Sequence, residues 1–319
     1  LRRVDVDSPG FSRRRAGRGF WYADESGKRI DDPGIRQRIA ELAIPPAWDD
    51  VWISPIANGH ILAAGIDDAG RRQYIYHPDW IRQHSAAKFE RMLDLAAALP
   101  RIRARVTRDL KKNESPREQC LAAAVRLIDL GSLRVGDRRH TTMTGNRGLT
   151  TLLCRHVDCA GEVVTLDFIG KSGQPWHVQI RDELLAATLR GMSDGRSERA
   201  VLLAYRDGRR WRPLRGAEIN EYIQQISDTE CTSKDFRTLE GSMIAATELA
   251  RIGPMSKKRD QDEAIGKAVS HVANRLGNTA SVARQNYISP RIIERYRAGA
   301  VLDLARPPIR ALRELLEDS

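Results

Sequence analysis

The sequence predicts an α+β protein: an N-terminal domain built on an antiparallel β-sheet, then a larger, mainly α-helical domain interrupted by a β-hairpin. Three observations predict it. Up to about residue 76 the chain alternates in short apolar and polar runs broken by Gly, Pro, Asn and Asp. From residue 85 onward apolar residues recur at the three- and four-residue spacing of helices. That spacing fails at 162–169 and 175–180, two runs flanking Gly170-Lys171-Ser172-Gly173, which read as a hairpin with Lys171 in its turn.

In chain order, 19–30 alternates around Glu25-Ser26-Gly27-Lys28, a hairpin signature, and Pro33-Gly34 breaks it. Residues 35–42 have helical spacing and end before Pro45-Pro46. A strand at 51–56, the hairpin dipeptide Asn58-Gly59, a return at 60–66, a turn at 67–70 and a strand at 71–76 follow. This gives a sheet of four or five strands with one short helix. His77-Pro78 closes the domain, and the boundary is placed near residue 84, giving domains 1–84 and 85–319 joined by a short connection. Beyond it helices are expected at 85–99, stopped by Pro100, and at 101–112, 116–130, 148–155, 181–191, 216–227, 236–252, 260–276, 279–287 and 290–302.

Composition narrows the function. The hydrophobic fraction of 41% supports real cores, and no apolar run reaches the ~18–20 residues of a membrane span. The chain opens Leu-Arg-Arg without an apolar signal segment, so a cytoplasmic location, at the nucleoid if the ligand is DNA, is expected. The net charge is +11 and the pI about 9.8, which points to a polyanion, most simply nucleic acid. Residues 1–86 hold 13 Lys and Arg against 12 Asp and Glu, and residues 87–319 hold 40 against 30. The surplus therefore belongs to the helical part, and the first domain must bind through specific contacts. Cys120, Cys154, Cys159 and Cys231 have neither disulfide-framework density nor zinc-ligand spacing, so buried thiols in a reducing compartment and no metal site are expected.

The chemistry gathers at 276–287, LGNTASVARQNY. Thr279 is placed to cap a short helix on which Arg284 and Tyr287, three apart, share a face, and Asn278 sits at its electropositive start. On the strand 71–76, Arg72, Tyr74 and Tyr76 share one face, and Gln73 and Ile75 the other. Such a strand can enter a major groove or simply pack its aromatics. Arg134 lies between apolar neighbours, Lys171 in its hairpin, and Lys234 and Arg237 are three apart before a helix. Each alone also fits a structural role: a buried ion pair, a solvated turn, a charged first helical turn. Together they suit in-line attack on a phosphodiester. Guanidinium forks bind the oxygens of the pentacoordinate state, a tyrosinate attacks, and a lysine protonates the departing sugar oxygen.

These residues resemble one family, the small type IB DNA topoisomerases of the poxvirus and bacterial kind. The likeness runs through IPPAWDDVWISP (44–55), GRRQYIYHPDW (70–80), LRVG (133–136), GLTTL (148–152), FIGKSG (168–173), KDFRT (234–238) and LGNT…Y (276–287). It implies a β-rich domain and a tyrosine-recombinase-like helical catalytic domain that clamp, as a monomer, around double-stranded DNA, with no cofactor. It also implies roles: Tyr287 as nucleophile forming a 3′-phosphotyrosyl bond, Arg134 and Arg237 on the scissile phosphate, Lys171 as general acid, and Asn278 where many members have histidine. Gln73, Tyr74 and Tyr76 match a groove-contacting strand. The chain departs from the family pattern at Asp137, His140, Thr144, Asn146, Arg147 and Leu239, leaving His140 or Arg147 to make a phosphate contact that the family makes with tyrosine. The rivals are a tyrosine recombinase, which typically carries His-x-x-Arg where Lys234 and Arg237 stand, and a non-enzymatic DNA-binding protein, which explains the charge but not LGNT…Y with GKSG.

Overall fold

The computed structural model of the chain describes residues 1–17, 19–112 and 115–317, with only the backbone of 138–140. Its internal contacts divide it into two units, Leu1–Ala87 and Lys88–Ser319.

The first unit is a five-stranded antiparallel sheet. Its strands are β1 (Phe11–Ala16), β2 (Gly19–Ala23), β3 (Asp49–Ile53), β4 (Ile61–Ile66) and β5 (Arg72–Tyr76), in the order β2-β1-β3-β4-β5. Helix α1 (Pro33–Glu41) starts at Asp32, whose carboxylate accepts from the Ile35 N–H at 2.9 Å, with Pro33 in the first turn. The inward residues Phe11, Val51, Ile53 and Ala63 close a core with Ile30 and Ile39. Arg13 reaches over the Phe20 ring and donates to the carbonyls of Pro45, at 3.0 Å, and Trp48, so the Pro45-Pro46 loop is tied to β1.

One expectation for this unit is met in part and one is corrected. The 19–30 hairpin is present but short, made of the Ala23–Arg29 bridge, an Asp24 N–H to Lys28 O bond of 2.8 Å and an Ile30 N–H to Tyr22 O bond of 2.9 Å, and the main partner of β2 is β1. The run Arg13-Arg14-Arg15 hides the apolar alternation that would have revealed β1. Asn58-Gly59 forms no two-residue turn, because these groups pair with the N-terminus. Arg2 N–H donates to Asn58 O, and His60 N–H to Arg2 O, both at 2.9 Å.

The second unit is mainly helical. In order it contains α2 (Pro78–Leu110, counted here from Lys88), α3 (Pro116–Gly131), α4 (Arg138–Thr144), β6 (Val157–Ala160), β7 (Val163–Ile169), β8 (Pro175–Arg181) and α5 (Glu183–Ser193). Then come β9 (Ala204–Asp207), β10 (Arg210–Pro213), α6 (Gly216–Ser227), α7 (Ser233–Ile252), α8 (Lys258–Leu276), α9 (Ala280–Tyr287), α10 (Pro290–Arg297) and α11 (Pro308–Glu317). Strands β6-β7-β8 form one antiparallel sheet and β9-β10 a separate hairpin. Met92, Leu95 and Leu99 of α2, Leu127 of α3, Leu249 of α7 and Leu276 of α8 are all in one core.

Helix α2 runs through Pro100, which does not stop it. The proline costs about 3 kcal/mol, but Leu95, Leu99, Ile102 and Val106 are buried on both sides of it, and each such side chain contributes roughly 1.5–3 kcal/mol. The helix expected at 148–155 is instead two 3-10 turns, Leu149–Thr151 and Cys154–His156. The N–H groups of Leu153, Cys154 and Arg155, which an α-helical ladder would send to Leu149, Thr150 and Thr151, go instead to His156 Nδ1, Ala200 O and Glu198 O at 3.0, 2.9 and 3.1 Å. The helix from 290 stops at Arg297 because Gly299, at φ 88, turns the chain. Short β6, arginine-rich β9 and β10, α4 and α11 escaped the periodicity. Among the described residues no helix is long and apolar enough to cross a membrane.

Candidate active site

Helices α8 and α9 meet end to end through Gly277-Asn278-Thr279. Gly277 takes the left-handed turn that ends α8 (φ 58), Asn278 N–H returns to Ala273 O at 2.9 Å, and Thr279 caps α9 by accepting from Val282 N–H. The last carbonyls of α8 carry its negative dipole end, and two guanidinium groups sit on them. Arg237 Nη2 donates to Leu276 O at 2.7 Å and its Nη1 to Ser132 O. Arg134 Nη2 donates to Asn278 Oδ1 at 2.7 Å. Arg237 is only 3% exposed, so its fork is held rather than free to swing. Arg237 Nε and Asn278 Nδ2 are buried donors with no acceptor among the described residues.

Arg134 owes its placement to two glycines. A Cβ on Gly136 would lie 2.8 Å from Gly148 Cα, and one on Gly148 2.5 Å from Gly136 Cα. Only two glycines allow LRVG and GLTTL to cross this closely.

Tyr287 ends α9 with Arg237 Cζ 5.1 Å from its ring centre. Burial raises the phenol pKa, but the charge and close approach of Arg237, with the charges of Arg134 and Lys171, outweigh it and hold it below the usual tyrosine value. Burial, and then the charge of Arg237, lowers the Arg134 pKa, while Tyr287 acts in the opposite sense. Lys171 is exposed at the β7–β8 turn, where Gly170 N–H donates to Gln174 O at 2.7 Å and Ser172 adopts φ 62. The structure thus brings Arg134, Arg237, Asn278 and Tyr287 together, with Lys171 close enough to act electrostatically on the phenol.

Comparison with known sequences decides the family. The profile described as "Eukaryotic DNA topoisomerase I, catalytic core" matches residues 77–300, and "Bacterial DNA topoisomerase IB, N-terminal domain" matches 19–67. The chain belongs to the type IB DNA topoisomerases. It is 26% identical over 295 residues to DNA topoisomerase 1B of Acanthamoeba polyphaga mimivirus, covering 90% of this chain and 87% of that one. Against DNA topoisomerase 1B of vaccinia virus (strain Copenhagen) it is 20% identical over 285 residues, covering 86% of each. The protein is therefore an isomerase whose substrate is DNA.

The candidate site also involves residues that the sequence did not single out. The Trp176 indole lies against Gly277, where a Cβ would approach it to 2.6 Å, so β8 is braced on the loop that carries Asn278. Ser242 Oγ donates to Tyr287 O at 3.2 Å and accepts from Ser289 N–H at 3.0 Å. Gly241, one turn beyond Arg237, makes room for Tyr287: a Cβ there would lie 2.6 Å from Tyr287 O and 2.9 Å from its Cβ. Only the spacing of Gly241 and Ser242 on the Arg237 helix could have hinted at this. Gly241→Val is expected to displace the tyrosine by about 1 Å and slow DNA cleavage about 100-fold, with the circular-dichroism spectrum unchanged; cleavage at the wild-type rate would refute the steric argument.

The remaining residues named from the sequence are scattered. On β5 of the topoisomerase's first unit, Arg72, Tyr74 and Tyr76 are exposed on one face. The two tyrosine rings stack with centres 5.8 Å apart, and Arg72 pairs with Asp7 at 3.0 Å. Gln73 faces the other way and donates to Asp67 Oδ2 at 2.8 Å. In the second unit Lys234 and Arg284 are exposed, while Arg147 is half-buried with Nη1 on Thr151 O at 2.7 Å, bracing its own loop. Leu239 packs in the core. The side chain of His140 lies outside the described residues.

Proposed function

We propose that this topoisomerase relaxes supercoiled duplex DNA through a 3′-phosphotyrosyl intermediate on Tyr287. The observation that carries the reading is the phenol, lowered in pKa by three cations, beside two buried donors that have no acceptor among the described residues. The non-bridging oxygens of a scissile phosphate are the acceptors that Arg237 Nε and Asn278 Nδ2 suit. Arg134 and Arg237 then neutralise the charge that grows in the pentacoordinate state. The Tyr287 oxygen, ionised by loss of its proton to solvent, bonds to phosphorus as the bond to the 5′ oxygen breaks, and Lys171 gives that oxygen its proton. One phosphodiester replaces another at nearly equal energy. The freed strand rotates, and the 5′-hydroxyl attacks the phosphotyrosine to restore the backbone.

The two units are read as a monomeric clamp on the duplex, at the nucleoid, with Arg72, Tyr74 and Tyr76 toward a groove and a tyrosine-recombinase-like catalytic fold. Gln73 reaches bases only if its bond to Asp67 opens. A suicide duplex that loses its 5′-hydroxyl fragment tests the chemistry: the trapped adduct should map to Tyr287, and an adduct on another side chain, or none, refutes it. Affinity for duplex DNA should fall steeply between about 50 and 200 mM salt as phosphate contacts release counterions. A flat titration would contradict an encircling basic surface.

A further inference from the structure

Helix α9 is eight residues long and lacks the left-handed glycine that closes α8; Ile288 after it is extended, at φ −115 and ψ 123. The carbonyls of such a last turn need partners from elsewhere. One comes from α2: Lys88 Nζ donates to Asn286 O at 2.5 Å, across 198 residues of sequence. Asn286 O belongs to the peptide group that bears the Tyr287 nitrogen. The next peptide carbonyl, Tyr287 O, accepts from Ser242 Oγ of α7. Both peptide planes flanking the tyrosine Cα are therefore held, one by an amine and one by a hydroxyl, which leaves the phenol only its side-chain torsions.

We propose that Lys88 is a positioning residue for the Tyr287 nucleophile, acting by fixing the Asn286 carbonyl. The inference rests on Tyr287 being the nucleophile. The neighbours of Lys88 support a dedicated role. Its ammonium lies 4.7 Å from the Phe89 ring centre. Arg91 approaches Asp235 of α7 at 3.7 Å, and Glu90 pairs with Arg291 of α10 at 3.0 Å. The first residues of α2 in this unit thus contact both α7, which carries Ser242, and α10, the helix that follows α9. Burial pulls the Lys88 pKa down to about 8, with Asp235 opposing and Arg91 reinforcing the shift. Below that pH the donor is charged; above it a neutral amine still donates, roughly half as strongly.

The test is single-turnover cleavage of a suicide duplex by the full chain, with Lys88→Met, Lys88→Arg and Tyr287→Phe in parallel. At about pH 7, Lys88→Met should form adduct about tenfold more slowly, the loss of one charge-assisted hydrogen bond, and bind duplex as wild type does. Lys88→Arg, which retains a charged donor, should recover most of the rate. The wild-type advantage over Lys88→Met should shrink as the pH rises from about 7 to about 9.5, because the amine loses its charge in that window. A folding defect would not vanish with pH, nor be rescued by arginine. Wild-type cleavage by Lys88→Met, or a ratio independent of pH, overturns the inference while Tyr287→Phe stays inert. An adduct formed by Tyr287→Phe would instead overturn the nucleophile assignment beneath it.

Discussion

Tyr287→Phe is expected to form no covalent adduct and relax no supercoils, a loss of at least about 10⁴-fold since no other group replaces the attacking oxygen, while duplex affinity stays at the wild-type value. The substitution is clean because phenylalanine keeps everything that holds the residue. The ring still faces Arg237, and the backbone still meets Gly241 and Ser242. Only the hydroxyl is lost, so the change is chemical rather than structural. Gel relaxation and adduct assays measure it, and supercoil relaxation by the variant would end the assignment. The wild-type rate carries a second signature. Because Arg237, Arg134 and Lys171 bring the phenol pKa below its usual value despite burial, the tyrosinate fraction rises at lower pH than for a free tyrosine, whose pKa is about 10. Cleavage should therefore accelerate with pH below that point.

The second large effect belongs to Lys171. Lys171→Ala should slow cleavage of an ordinary duplex about 10²–10⁴-fold, the range for a lost general acid. It should slow a duplex with sulfur at the departing 5′ position far less, because a thiolate leaves without protonation. Lys171 is exposed in a turn of its own hairpin, so its removal leaves the core intact and the variant should melt with the wild type. Equal impairment on both duplexes would remove the acid role and leave Lys171 as a charge that only tunes the phenol.

Much of the fold was legible because its signals are local. Thr279 before α9 and the GKSG turn lie within a few residues of the groups they satisfy, and α6 runs over 216–227 as its spacing predicts. Signals failed where a distant group competed. Pro100 was outweighed by burial on both sides of it, the N–H groups of Cys154 and Arg155 were taken by Ala200 and Glu198, and Asn58-Gly59 was taken by Arg2. These three misreadings share one cause: a local preference of about 1–3 kcal/mol yields to tertiary bonding of similar size.

By itself the sequence determined the two-part α+β character, the basic surplus of the second part and the residue types for phosphoryl transfer, since these follow from composition, periodicity and side-chain chemistry. Only the tertiary structure decided that Arg237 is buried between Ser132 O and Leu276 O, that Arg134 reaches Asn278, that Trp176 braces Gly277, and that Lys88 grips the peptide bond before Tyr287. The physical reason is that most of these contacts end on main-chain atoms. Every residue has a carbonyl, so no side-chain pattern can announce which one a distant arginine or lysine will find.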